Sequence, residues 1–130
     1  MYMQRTRMAA AEQYRQLDLN SRMASASPHQ LVSILYECLN TALATAITAH
    51  SAGKSALVTI QLGRARSILS ALEAGLDFEQ GGEMARTLAT IYRSMQRRLS
   101  NVTEYPAALE EVREGVVEIS VTWSNLTKQP

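Results

Sequence analysis

Residues 27–39 read Ser-Pro-His-Gln-Leu-Val-Ser-Ile-Leu-Tyr-Glu-Cys-Leu, a helix start signal followed by an apolar helical segment. Ser27 can accept a hydrogen bond from an unpaired backbone N–H of the first turn, and Pro28 fits the first helical position. Gln30, three residues after Ser27, completes a capping-box pattern. We therefore predict that Ser27, Pro28 and Gln30 form the structural cap of a helix over residues 28–51.

Three further apolar patterns of helical period follow this helix. They run from about residue 55 to 75, from Glu83 to 102 and from Pro106 onward, with glycines or short polar turns between them. Four long helices with short connections predict an all-α fold, an antiparallel up-down four-helix bundle. Residues 1–20 add a short helical cap segment, either docked or mobile, and residues 21–127 are predicted to form the single bundle domain.

Two segments need a choice between patterns. Residues 117–124 alternate between apolar and polar side chains, as a half-buried strand would. The same region fits a heptad seam, and a lone strand would find no partner in this chain, so we predict a helix. The segment from Asp18 to Ala26 is rich in serine and asparagine and is predicted to be a linker. The heptad seam consists of Leu109, Val112, Val116, Ile119, Trp123 and Leu126.

Composition excludes several classes of function. The chain has 130 residues, 46% of them hydrophobic, a net charge of +1 and one cysteine, which indicates one domain without an internal disulfide. A neutral chain has no field to attract nucleic acid, and Arg93, Arg97 and Arg98 are balanced by glutamates on the next helix. We see no signal peptide and no apolar run of the ~20 residues that a membrane span needs. We therefore expect a cytoplasmic protein without membrane insertion.

A catalytic or metal site is not expected. His29 and His50 lie about six turns apart on the first bundle helix, and neither belongs to a Glu-x-x-His pair. Cys38 adjoins the apolar stripe and is interpreted as a small buried hydrophobe rather than a nucleophile. The Gly81-Gly82 pair lacks the preceding strand and the lysine of a phosphate-binding loop. The sequence therefore predicts a protein that is not an enzyme and needs no cofactor.

The first two bundle helices carry few charges. Between Leu31 and Gly63 only Glu37 and Lys54 are charged, and small residues occupy positions where a surface helix normally carries lysine and glutamate. Shallow grooves between such helices can accept an amphipathic helix from a partner. A merely soluble surface of small polar residues accounts for the pattern equally well. From the residues alone we predict a helical bundle and favour a protein-binding module over an enzyme.

Several short motifs occur in an order that resembles one family. Tyr14-Arg15-Gln16-Leu17 precedes a helix start over residues 25–31, which Leu35-Tyr36 follows. These motifs, the loop and helix start over residues 76–85, and the Glu111-Val112…Trp123 ending resemble the flagellin-specific export chaperones of the FliS family. The likeness extends from Tyr14 to about Trp123. One departure is Glu37-Cys38, where the family usually has Asp-Gly.

The resemblance implies a cytoplasmic, non-enzymatic chaperone. Members of the family bind the C-terminal region of flagellin, prevent its premature polymerisation and deliver it to the flagellar type III export apparatus. The flagellin segment occupies apolar surface grooves and displaces the N-terminal cap. A helical scaffold or regulatory binding module for another flagellar protein is the alternative function, and a homodimer through the N-terminal arm stays open.

Deletion of residues 1–17 is expected to leave flagellin binding intact or tighter, because a competing cap lowers the apparent affinity by its bound fraction. Titration of full-length and shortened chains with the flagellin C-terminal segment measures this. A total loss of binding would instead show that residues 1–17 contact flagellin directly.

The candidate partner-binding residues come from this resemblance and from the apolar stripes. The sequence leaves open which of them line a groove and which belong to the core. They are Tyr14, Leu17, Leu31, Leu35, Tyr36, Leu39, Tyr92 and Met95.

Overall fold

A computed structural model describes the backbone of residues 2–126 and the side chains from residue 9 to 126. Within these described residues the chain forms five α-helices and no strand, which confirms the all-α fold class. The segment over residues 117–124 is helical, so the helix interpretation is confirmed and the strand alternative is wrong. Thr127, the last residue of the predicted bundle domain, lies outside the described residues. The helices are α1 (Tyr2–Ser25), α2 (Pro28–Ser51), α3 (Ser55–Ala74), α4 (Phe78–Ser100) and α5 (Ala108–Leu126).

The described chain divides between Ile34 and Leu35 into two compact units. The first unit contains α1 and the first two turns of α2, and the second contains the rest of α2 with α3, α4 and α5. The predicted division between residues 20 and 21 stays a prediction.

The start of α2 carries a capping box. The Ser27 hydroxyl accepts a hydrogen bond from the backbone N–H of Gln30 at 3.2 Å. The side-chain oxygen of Gln30 accepts one in return from the backbone N–H of Ser27 at 2.9 Å. Two N–H groups that the helix cannot pair internally are thereby satisfied, with Pro28 at the first helical position.

α1 is longer than the sequence predicts. The predicted linker from Asp18 to Ala26 is helical as far as Ser25, so this prediction was wrong for all but its last residue. The polar residues that indicated a linker form hydrogen bonds within the helix instead. The Ser25 hydroxyl donates to the backbone carbonyl of Ser21 at 3.1 Å, one turn earlier. The hydroxyl is thereby satisfied within the helix rather than in a turn.

α3 and α4 are antiparallel neighbours. The guanidinium of Arg93 on α4 pairs with the carboxylate of Glu73 on α3 at 2.8 Å. Gln96, almost one turn further along α4, donates to the backbone carbonyl of Arg66 at 2.9 Å. Contacts therefore move backward along α3 as they move forward along α4, as in an up-down bundle.

α5 lies against both α4 and α2. Near its start, Glu111 pairs with Arg98 at the end of α4 at 3.5 Å. The Arg113 guanidinium donates to the side-chain oxygen of Asn40 on α2 at 3.3 Å, and further along α5 the Trp123 ring contacts Tyr36. Higher residue numbers on α5 thus face lower numbers on α2, so these two helices are also antiparallel.

α2 is the most apolar helix of the fold. By length and composition alone it could cross a membrane, with 24 residues and a hydropathy of 1.4, so the statement that no such segment exists was wrong. The high hydropathy of α2 results from its scarcity of charged residues. A core helix meets the same criterion, and the α2 residues of the second unit that are at most 4% exposed are Tyr36, Leu39, Ala42, Leu43, Ala46 and Ala49.

α4 begins earlier than the predicted start at Glu83. The Asp77 carboxylate accepts hydrogen bonds from the backbone N–H groups of Glu79 and Gln80, each at 3.0 Å, and caps a first turn. Gly82, at φ +49° and ψ −124°, interrupts that turn, and regular helix resumes at Glu83. Only glycine adopts this conformation at little cost. Glu83, the predicted start of the helix, is therefore the first residue after the interruption at Gly82.

Candidate partner-binding groove

The apolar seam of α5 is buried in its first half and open in its second half. Leu109, Val112 and Val116 are 1%, 2% and 1% exposed. Further along the same seam, Ile119 and Trp123 are only half-buried and Leu126 is 41% exposed. The second half of α5 thus presents to the outside the face that its first half uses as core.

The groove-facing side chains of α4 also change from exposed to buried, from the start of the helix to its end. Met95 and Leu99 are buried, Leu88 and Ile91 are half-buried, and Met84 is 50% exposed. Arg98 on α4 pairs with Glu111 on α5, and Met95, earlier on α4, adjoins Gly115, later on α5, so these two helices are antiparallel. The open first half of α4 therefore faces the open second half of α5.

A groove with a volume of about 530 Å³ lies between these two open halves. Met84 and Met95, at its two ends on α4, stand eleven residues apart, which corresponds to about 16 Å or three helical turns. The groove is therefore as long as a three-turn helix. Its lining consists of Tyr36 from α2, of Met84, Thr87, Leu88, Ile91 and Met95 from α4, and of Gly115, Glu118, Ile119, Thr122, Trp123 and Leu126 from α5.

Tyr36, which lines the groove, is one of two buried tyrosines that contact each other. The hydroxyls of Tyr36 and Tyr92 share a hydrogen bond of 2.6 Å, and both side chains are almost fully buried. The ring of Tyr36 meets the ring of Trp123 edge to face, with centroids 6.2 Å apart. This arrangement is favourable for aromatic pairs and holds the open half of α5 against α2.

Gly115 allows α4 and α5 to close at one end of the groove. A Cβ atom at this position would lie 3.2 Å from the terminal methyl of Met95, tighter than an ordinary van der Waals contact. The two helices therefore approach closely at Gly115, whereas the opposite end between Met84 and Leu126 stays open.

The stability of the fold is expected to fall as the pH rises above about 10, the pKa of tyrosine in an unfolded chain. Burial raises the pKa of both Tyr36 and Tyr92. Above pH 10 the unfolded chain therefore releases protons that the folded chain retains, which favours unfolding; below pH 9 neither state releases them. Thermal unfolding from pH 8 to pH 11 measures this, with the Tyr36→Phe/Tyr92→Phe double variant as control. A fall of equal size in the double variant would contradict the assignment.

The groove offers binding chemistry rather than catalytic chemistry. Its lining includes no histidine or cysteine, and Glu118 is its one charged side chain among the described residues. Over the described residues there is also no group of three or more His, Cys, Asp or Glu side chains placed to hold a metal ion. The arrangement can bury apolar surface and pair with one positive charge.

Two of the residues predicted from sequence to bind a partner, Tyr36 and Met95, line this groove. Their role in binding, and that of the other predicted residues, stays a prediction. The others lie in the core (Leu39, Tyr92), half-buried on α2 (Leu31, Leu35) or exposed on α1 (Tyr14 at 76%, Leu17 at 67%).

Sequence reasoning placed most of the groove lining in the core stripes and did not assign it to a site. One signal was available. The α5 seam continues to Leu126, and in an antiparallel bundle its end faces the start of α4, where Gly81 and Gly82, just before Met84, contribute no side chain to cover it. The missed apolar residues are Met84, Leu88, Ile91, Ile119, Trp123 and Leu126.

Comparison with known proteins identifies the family. The family model described as flagellar protein FliS matches residues 10–130. The flagellar secretion chaperone FliS of Salmonella typhimurium is 36% identical over 117 residues, which cover 88% of this chain and 87% of the relative. The flagellar secretion chaperone FliSB of Pseudomonas aeruginosa is 30% identical, with 92% and 97% covered, and FliS of Vibrio cholerae is 28% identical, with 87% and 85% covered. The chain therefore belongs to the FliS family, is a chaperone in flagellar export and is not an enzyme.

Proposed function

We propose that the groove between α4 and α5 binds the C-terminal region of flagellin as an amphipathic helix. The observation that carries the proposal is the half-open seam, in which Ile119, Trp123 and Leu126 continue a stripe whose first half is core. One more apolar helix laid along this stripe would complete the packing of the bundle. Helix-in-groove recognition of this kind uses apolar anchors at positions i, i+3 or i+4, and i+7.

The proposed mechanism is burial without chemical energy input. The terminal segments of flagellin are amphipathic and pack as coiled coils in the filament, so free segments in the cytoplasm would associate with one another. A chaperone that covers ~1,000–3,000 Å² of such a segment gains apolar burial that offsets the cost of ordering it. The covered segment cannot polymerise and is carried to the flagellar type III export apparatus in this state. We also propose that residues 1–20 act as a cap that flagellin displaces. A homodimer formed through this N-terminal arm is part of the same proposal.

Titration of the full chain with the C-terminal segment of the flagellin from the same organism tests the proposal. Trp123 is the sole tryptophan and lines the groove, so its fluorescence reports occupancy directly. We expect binding at micromolar or lower concentration with a negative heat-capacity change, and no binding by a segment of scrambled sequence. Absence of binding at micromolar concentration would overturn the assignment of flagellin and favour a scaffold or regulatory module for another flagellar protein.

A further inference from the structure

We infer that Glu118 fixes the direction in which a helix lies in the groove, by pairing with a basic residue near one end of that helix. The inference rests on the proposed function, since it concerns the same groove, but it specifies a property of the ligand that apolar burial does not. An apolar groove bounded by two helices offers similar contacts to a ligand helix in either direction. A single charge placed off-centre removes this equivalence.

Glu118 is placed in this way. It is the one charged side chain in the described lining of the groove, and it is exposed at the edge rather than buried beneath the groove. It lies less than one turn from Gly115, at the closed end, and about 12 Å along α5 from Leu126 at the open end. The carboxylate is therefore near one end of a site three turns long.

The Glu118 carboxylate forms no ion pair with any residue that the structure describes. The nearest basic residue on its own helix, Arg113, donates instead to Asn40 on α2. Glu114, one turn before Glu118, is exposed and lies outside the groove lining. A ligand helix that covers Glu118 removes part of its hydration, which a lysine or arginine on the ligand would compensate and an acidic residue would aggravate. The ligand class is thus an amphipathic helix with a basic residue flanking one end of its apolar face.

Three synthetic amphipathic peptides of four helical turns, with blocked termini and the same leucine face, test the inference on the full chain. One carries lysine in its first turn, one carries lysine in its last turn, and one carries glutamine at both positions. Trp123 fluorescence measures each affinity. We expect one lysine peptide to bind ~2- to 5-fold more tightly than the glutamine peptide, the other to bind like the glutamine peptide, and the difference to shrink at high salt.

The control compares the same glutamate-to-glutamine substitution at two positions of α5, one inside the groove lining and one outside it. Glu118→Gln should abolish the preference between the two lysine peptides, and Glu114→Gln, which alters the same charge outside the groove lining, should preserve it. Equal binding of the two lysine peptides, or a preference that survives Glu118→Gln, would overturn the inference. Titration with the flagellin segment in parallel separates the two proposals. Flagellin binding without a peptide preference overturns only the role of Glu118, and a preference without flagellin binding overturns only the assignment of flagellin.

Discussion

Ile119→Glu is expected to weaken binding of the flagellin C-terminal segment by about 100-fold or more while leaving the helical fold intact. Ile119 is half-buried, lines the groove and continues the α5 seam. A docked helix would press the new carboxylate against apolar surface without a partner, which costs several kcal/mol. Each ~1.4 kcal/mol corresponds to a tenfold change in affinity. Isothermal titration calorimetry measures the loss, and far-UV circular dichroism verifies the fold.

Val121→Glu provides the matched control on the same helix. Val121 is 57% exposed and lies two residues beyond Ile119, outside the groove lining. The same apolar-to-acidic change at this position should leave the affinity within about twofold of wild type, as is usual for a surface substitution. Equal losses in the two variants would place the ligand elsewhere on α5, and wild-type affinity in Ile119→Glu would exclude the groove as the binding site.

Tyr36→Phe and Tyr92→Phe are each expected to lower the free energy of unfolding by about 1–3 kcal/mol, and the double variant by less than the sum. Each single change leaves one buried hydroxyl without the partner that it has at 2.6 Å in the native fold. Removal of both hydroxyls leaves no polar group to satisfy. The asymmetry arises because an unsatisfied buried polar group costs more than the net gain from a satisfied one.

A double-mutant cycle measures this coupling. Urea denaturation should be followed by far-UV circular dichroism, because the Trp123 ring contacts Tyr36 and its fluorescence would change with the substitution itself. A coupling energy of about 0.5 kcal/mol or more between the two sites is expected for groups in direct contact. Strictly additive losses would mean that the two hydroxyls do not stabilise one another.

The helices of the second unit could be predicted from sequence because their signals are local. Apolar residues of helical period and the helix-breaking Gly53 and Gly75 gave α2 and α3 to within one or two residues. The heptad seam favoured a helix over a strand for residues 117–124, and the structure confirms that prediction. Periodicity succeeded here because each helix of the second unit packs an apolar face against its neighbours.

The sequence did not predict which seam residues are buried and which are exposed, because burial depends on the residues that surround each side chain in the fold. Leu109 and Leu126 occupy equivalent seam positions, but the first is 1% exposed and the second 41% exposed. The difference arises from what lies opposite on α4, which a one-dimensional pattern does not contain. In α1, serine and asparagine indicated a linker because their preference for turns is local, and hydrogen bonds one turn away overrode that preference.

Gly115 has a consequence for the chaperone without its ligand. Within α5 it marks the point near which buried seam residues give way to half-exposed ones, and glycine inside a helix costs about 1 kcal/mol relative to alanine. The last turns of α5 are therefore the part of this helix most prone to local opening. A ligand that binds only the closed form stabilises it by a free energy that rises with the logarithm of the ligand concentration above its Kd. Mass action then ties the persistence of the folded chaperone in the cell to the supply of its export substrate.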